Sequence, residues 1–184
     1  MDKKITYLLH KAIEAAISGG QEIMNIYSGD EFNIEYKEDH SPVTIADKLS
    51  SKKIVLILKE TEIPVLSEEE SIPDFPKRKD WKALWVVDPL DGTKEFIKKN
   101  GEFCVNIGLV ENNKPLLGVL YIPVTNELFY GGASIGAYKV NNVTKYNKSI
   151  IESSIKLPHH SNGDKIVVTA SRSHLDCESI AFFN

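Results

Sequence analysis

WVVDPLDGTKEF, residues 85–96, is the stretch on which the reading of this chain turns. Trp85, Val86 and Val87 have the apolar, β-favouring character of a buried strand end, whereas Thr93 opens a segment, TKEFIKK, of helical character. Two acids, Asp88 and Asp91, stand between them where the strand gives out. Pro89 fixes its own backbone angle and withholds a donor, so the acids, three positions apart around a turn, can point into one space beside the Leu90 carbonyl. Carboxylates held that close repel each other unless a positive charge lies between them. Three oxygens in one place suit a hard cation such as Mg²⁺, which favours oxygen ligands, keeps several waters and commonly shares a phosphate with the protein. Gly92 lets a phosphate approach the backbone, and the amides of Gly92 and Thr93 would meet it at a helix N-terminus. Taken alone, the same residues describe a solvated Asp-rich turn capping a helix equally well.

The totals narrow the field. With 184 residues, 42% hydrophobic and 26% charged, the chain has the composition of an ordinary globular protein. A net charge of -4 gives no electrostatic reason to bind a nucleic-acid polymer or an anionic membrane. Two cysteines, Cys104 and Cys177, form neither a disulfide framework nor a zinc pattern and fit a reducing compartment, so the cytoplasm is the expected location. In such a compartment the NVT and NKS sequons at 142 and 147 are chance matches. The longest apolar run, IVLIL at 54–58, is far too short for a transmembrane segment. His10, Lys11 and Glu14 interrupt the N-terminal region before it could serve as a signal-peptide core.

Along the chain, Ile5, Leu8, Leu9, Ala12, Ile13, Ala16, Ile17, Ile23 and Met24 recur at helical spacing over residues 3–27, with Gly19 and Gly20 allowing close approach of a neighbour. FNIEYKEDH reads as a polar, hairpin-like region. Thr44 then caps a helix that runs to about Lys59. IPVLSEEE is a short strand that stops at its acids. From Ala83 the pattern becomes strands: ALWVV, FCVNIGLV, LLGVLYIP and ELFYGG, with ENNKP and PVTN as turns between the later ones. The polar stretch from Val140 to Asp164 reads as surface loops or a flexible insertion, KIVVTASRSH as a strand, and HLDCESIAFFN as the opening of a helix. The fold class that follows is α+β, layered helices with a largely antiparallel sheet. Residues 1–150 form a metal-binding domain, and 151–184 begin a second, α/β domain.

Three motifs, VTIAD, LSEEE and WVVDPLDGTKEF, in this order and at these intervals, resemble those of the lithium-sensitive, magnesium-dependent phosphatases of the inositol monophosphatase superfamily. KEFIKKNGEFCVNIGLVENNKPLLGVLYIPV and SRSH resemble its 3'(2'),5'-bisphosphate nucleotidase branch, which Lys94 and Glu95 also favour. The resemblance implies the layered α/β/α/β/α sugar-phosphatase fold and two or three Mg²⁺ ions. It makes Glu68, Asp88, the Leu90 carbonyl and Asp91 the metal ligands, although the run of glutamates leaves Glu69 open in place of Glu68. Asp47 and Thr93 would orient and help deprotonate the attacking water, with Gly92, Thr93 and Glu68 about the substrate phosphate. The implied reaction is in-line hydrolysis of the 3'-phosphate of 3'-phosphoadenosine 5'-phosphate, with no covalent phosphoenzyme. Inositol monophosphate is the alternative substrate. Peripheral association with the inner membrane is compatible with the resemblance, and the oligomeric state is left open.

The departures matter as well. The GSSLK-like segment and WDxA motif of the family do not occur in these residues, and with them go an acid of the second metal site and part of the substrate contacts. The expectation is therefore an incomplete member with part of the metal site and little or no activity, or a remnant that only binds metal or ligand. The haloacid dehalogenase phosphatases are disfavoured because their two acids are separated by one residue, not two. His159 and His160 stand in a polar stretch without an acid or cysteine nearby and read as surface, as do Lys77, Arg78 and Lys79.

Overall fold

The N-terminal periodicity becomes a 25-residue helix, α1 (Lys3–Tyr27), whose first free amides are met by the Asp2 carboxylate, which accepts from the Lys4 N–H at 3.0 Å. In this computed structural model, residues 2–29, 34–36, 42–158 and 181–182 are described. Strands β1 (Ile34–Tyr36) and β2 (Pro42–Thr44) pair antiparallel around the FNIEYKEDH region. Thr44 then caps α2 (Ile45–Leu58), as its sequence position led one to expect. α1 and α2 pack on each other at Gly19, where a Cβ would come within 2.7 Å of Ile54.

The second layer is a seven-stranded sheet whose strands follow one another in chain order. β3 (Val65–Ser67) lies parallel to β4 (Ala83–Asp91). Between these two strands comes a short exposed helix, α3 (Phe75–Arg78), so Lys77 and Arg78 sit on a turn of helix instead of the expected loop, still in solvent. After β4 come α4 (Thr93–Ile97), shorter than the TKEFIKK segment, and the antiparallel strands β5 (Cys104–Glu111), β6 (Lys114–Ile122), β7 (Glu127–Gly132), β8 (Gly136–Val140) and β9 (Ile155–Lys156). Asn112 and Asn113 both take left-handed backbone angles, φ 51° and 62°, which is what a two-residue hairpin loop between twisted strands requires.

Alternation along the strands decides which face meets the helices. Val105, Ile107 and Leu109, then Leu117, Val119 and Tyr121, then Leu128 and Tyr130 are all buried with the apolar stripe of α1 in one core. The other face carries smaller and apolar residues, among them Gly108, Gly118, Leu120 and Phe129, and forms a groove of about 520 Å³ that reaches Asp88 at one end.

Residues 140–153 differ from the expected loose insertion. Val143 and Ile150 are buried, the Tyr121 hydroxyl donates to the Val143 carbonyl at 2.7 Å, and the Gln21 amide reaches the Thr144 carbonyl at 3.0 Å. These anchors are single residues without a period, so no pattern announced them, and β8, at five residues, was too short to stand out. The sheet takes up Ile155–Lys156 as its last strand. His159, His160, Cys177 and the segment KIVVTASRSH lie outside the described residues, and of the expected last helix only Ala181 and Phe182 are described, both helical.

Gly20 tests the core directly. A Cβ there would lie 2.5 Å from the ring of Tyr121, which is 2% exposed and tethered by its hydroxyl. Alanine gains about 1 kcal/mol in helix propensity over glycine, but overpacking against a fixed ring costs about 1–3 kcal/mol. Gly20→Ala is therefore expected to lower the unfolding free energy by about 1 kcal/mol in urea titration, the opposite of what an exposed helix site would give.

Candidate active site

β4 does not stop at Val87; it runs on through Asp91, and a one-residue bulge brings its two acids together. Asp88 faces Asn106 and Asp91 faces Cys104, so three steps along β4 match two along β5. In a regular strand residues three apart point to opposite faces, and the extra residue cancels that inversion. Pro89, with no N–H to offer the ladder, is the residue a bulge tolerates. Asp88 accepts from the Leu90 N–H at 3.2 Å, and Asp91 accepts from the Asn106 side-chain amide at 3.0 Å.

The first turn of α2 supplies the next acid. Asp47 closes a capping box with Thr44, its Oδ2 accepting from both the Thr44 N–H and the Thr44 hydroxyl at 2.7 Å. Its other oxygen, Oδ1, accepts from the Thr93 hydroxyl at 3.0 Å, and the same hydroxyl lies 3.2 Å from the Leu90 carbonyl. Asp47 is only 3% exposed, and burial holds its pKa above the ordinary value against the opposing effect of these hydrogen bonds.

Glu68 follows the last residue of β3, and its N–H donates to the Val87 carbonyl at 3.1 Å, which sets it beside the end of β4. The electrostatic result is concentrated on Asp88. Burial first, then the charges of Glu68 and Asp91, and more weakly Asp47, push its pKa up to about 7, opposed by the Leu90 N–H.

Whether such residues fit a divalent cation is a question about the donor set. Its chemistry fits, since several hard oxygen donors of like charge are what a small cation relieves. Their arrangement is more open: among the described residues no group of three or more His, Cys, Asp or Glu side chains stands ready to hold a metal ion.

Gly92 occupies the corner after the bulge with φ 96°, and a Cβ there would lie 2.7 Å from the Glu102 carbonyl, so the position admits only glycine. α4 has five residues, so its dipole adds little, and what Gly92 offers a phosphate is close approach to the backbone. Three contributors escaped the sequence reading: Asn106, Ser50 and Ser51. Asn106 sits among alternating strand residues, and the two serines in a helix whose polar positions pass for surface. The periodic placement of Ser50 and Ser51 three and four residues after Asp47 was the available signal.

The scaffold is layered α+β, and it gathers carboxylates from a helix start, a parallel strand end and a bulged strand around a Gly-Thr corner. The profile of the inositol monophosphatase family matches residues 4–178. The chain belongs to that family. It is 40% identical to the 3'(2'),5'-bisphosphate nucleotidase CysQ of Escherichia coli K12 over 174 residues, which is 93% of this chain and 66% of that protein. It is also similar to the crystal structure of CysQ from Bacteroides thetaiotaomicron, with a TM-score of 0.82 and 43% identity over 94% of this chain and 65% of the other. A more distant likeness, at 26% identity and a TM-score of 0.54, covers 65% of this chain and 43% of an IMPase/NADP phosphatase complexed with Mg²⁺ and phosphate. The chain thus spans slightly under two thirds of the length of the CysQ relatives it matches.

The raised pKa of Asp88 makes stability depend on pH with a definite sign. Unfolded, the carboxyl ionises near its ordinary 3.8; folded, it keeps its proton to about 7. Between those values the native state binds the extra proton, so stability falls as pH rises through the window and levels off above it. Denaturant titrations in a chelator from pH 4 to pH 8 should show that fall in the wild type. Asp88→Asn should flatten it and leave the variant more stable than wild type at pH 8, whereas parallel curves would remove Asp88 as the cause.

Proposed function

We propose that this chain is a Mg²⁺-dependent phosphomonoesterase that removes the 3'-phosphate of 3'-phosphoadenosine 5'-phosphate, giving AMP and inorganic phosphate. The observation that carries this reading is the convergence of Glu68, Asp91 and Asp47 on Asp88 beside a hydroxyl, Thr93, that is aimed by Asp47. The choice of a bisphosphorylated nucleotide is supported by the CysQ relatives, and the choice of metal by the Mg²⁺ in the IMPase/NADP phosphatase complex.

Glu68, Asp88, Asp91 and the Leu90 carbonyl are the groups that would hold two or three Mg²⁺ ions. When bound, such ions supply Lewis acidity toward the phosphate oxygens and charge neutralisation at the leaving oxygen. The remaining work falls to the chain. Asp47 keeps both oxygens engaged by Thr44 and Thr93, so it holds the Thr93 hydroxyl in one orientation. With its hydrogen directed to Asp47 or to the Leu90 carbonyl, Thr93 Oγ1 presents a lone pair to a water and accepts a hydrogen bond from it. As that proton leaves, Asp47 takes up the one Thr93 gives away, acting as general base through the hydroxyl. Gly92 keeps the corner free of side-chain atoms, so the phosphate can reach the backbone.

A second reading is metal binding without turnover: acids converge on Asp88, yet among the described residues no group of three or more stands closed round a metal position. One assay separates the two. Phosphate release from 3'-phosphoadenosine 5'-phosphate is measured with Mg²⁺ and with chelator, beside inositol 1-phosphate. The nucleotidase reading expects release that needs Mg²⁺, prefers the nucleotide, and falls by about 100-fold or more in Asp47→Asn and Thr93→Val. A Mg²⁺-induced rise in Tm with no release of phosphate selects the binding-only reading. Neither a rise nor release sinks both.

A further inference from the structure

α2 contributes more to the site than Asp47. Positions i, i+3 and i+4 of a helix share one face, and Asp47, Ser50 and Ser51 fill those three positions. All three are buried, at 3%, 0% and 1% exposure, in a helix whose neighbouring buried positions, Ala46, Ile54, Ile57 and Leu58, are apolar. Serine has lower helix propensity than alanine, and a buried hydroxyl is costly unless bonded, so this polar stripe works against both the helix and the core unless its bonds matter.

Each side chain holds a different segment. Asp47 takes Thr93, beyond the bulge. Ser50 donates to the Pro89 carbonyl at 2.9 Å, between Asp88 and Leu90. Ser51 shares a 2.7 Å hydrogen bond with the Ser67 hydroxyl, one residue before Glu68. α1 closes behind them: a Cβ on Gly19 would stand 2.8 Å from Ser50 Oγ, which leaves that hydroxyl little room to turn elsewhere. The segment bearing Glu68 and the stretch from Asp88 through Thr93 are separate in sequence, and one helix face is where both are tied.

We propose that Ser50 and Ser51 are positioning residues of the metal centre, fixing the separation of Glu68 from the Asp88–Leu90 bulge by holding Ser67 and the Pro89 carbonyl on one helix face. This rests on the metal-binding reading above. A plainly structural role for the hydroxyls predicts something different: they would satisfy their buried partners, the Pro89 carbonyl and the Ser67 hydroxyl, and affect stability alone.

The test reads Mg²⁺ affinity and metal-free stability side by side on the whole chain, by calorimetric titration with MgCl₂ and by thermal unfolding in chelator. Ser51→Ala orphans the Ser67 hydroxyl and lowers Tm; Ser51→Ala with Ser67→Ala removes both partners and returns Tm close to wild type. The inference expects the Mg²⁺ dissociation constant of this double variant to stay raised by about tenfold, as loss of an outer contact to a ligand-bearing segment typically does. Ser50→Ala is expected to raise it similarly, and it decides the matter alone should the double variant fail to fold. Wild-type affinity in these variants would overturn the positioning role while leaving the metal reading intact. A wild-type chain that takes up no Mg²⁺ would instead remove the metal reading, and the inference with it.

Discussion

The charges of Glu68, Asp91 and Asp47 converge on one carboxylate, and the rest of the site is arranged around that convergence. Asp88, which feels Glu68, Asp91 and Asp47 at once, is held where burial already disfavours its charge. A chain left to itself would splay such groups into water, so something must force them together. The forcing is done by the backbone: the bulge at Pro89 aims Asp88 and Asp91 to one side, the parallel pairing of β3 with β4 brings Glu68 alongside, and the capping box keeps Asp47 folded against the start of α2. None of these elements could relax the repulsion without losing ladder hydrogen bonds or a cap. The strain is local, and the buried interface between α1, α2 and one face of the sheet offsets it.

That interface explains the precision of the arrangement as well as its stability. Gly19 and Gly20 lie next to each other on α1 yet serve different neighbours, α2 at Ile54 and Ser50 on one side and β6 at Tyr121 on the other. The three elements are thereby locked at near van der Waals contact, and a rigid frame of this kind is what holds side chains in place to fractions of an ångström. Trp85 adds a tie at the base of the site: it is fully buried, and its indole N–H donates to Thr61 at 2.9 Å just after α2 ends.

What could be read from the residues and what could not divides along a physical line. DPLDGT announced a shared space for two acids because proline and glycine act on the backbone locally, and the Thr44 cap with Asp47 three residues on is a local pattern too. The bulge was not visible, since a bulge is a relation between two strands and the sequence of one strand does not contain it. The run of glutamates left Glu69 open in place of Glu68, and the register of β3 against β4 is what sets Glu68 beside the end of β4. Val143 and Ile150 were missed for the same reason, their burial being decided by α1 and β6 across the chain. Asn106, Ser50 and Ser51 carry no distinctive chemistry by type and acquire a role only from the atom each one meets.

The four acids are alike in chemistry and unlike in surroundings, and the surroundings divide the work. Both oxygens of Asp47 are taken by Thr44 and Thr93, which leaves it poorly placed to ligate a cation and well placed to orient a hydroxyl and receive its proton. Burial raises its pKa, which moves a carboxylate toward the range where a base can give up and regain a proton near neutral pH. Asp91 and Glu68 are exposed, and Asp88 lies between them, so this trio faces the open side from which ions and a phosphate ester would arrive. On the proposed reading, a proton-handling acid shielded on the helix side and metal-holding acids on the solvent side are two consequences of one placement, the seating of α2 against the bulged end of β4.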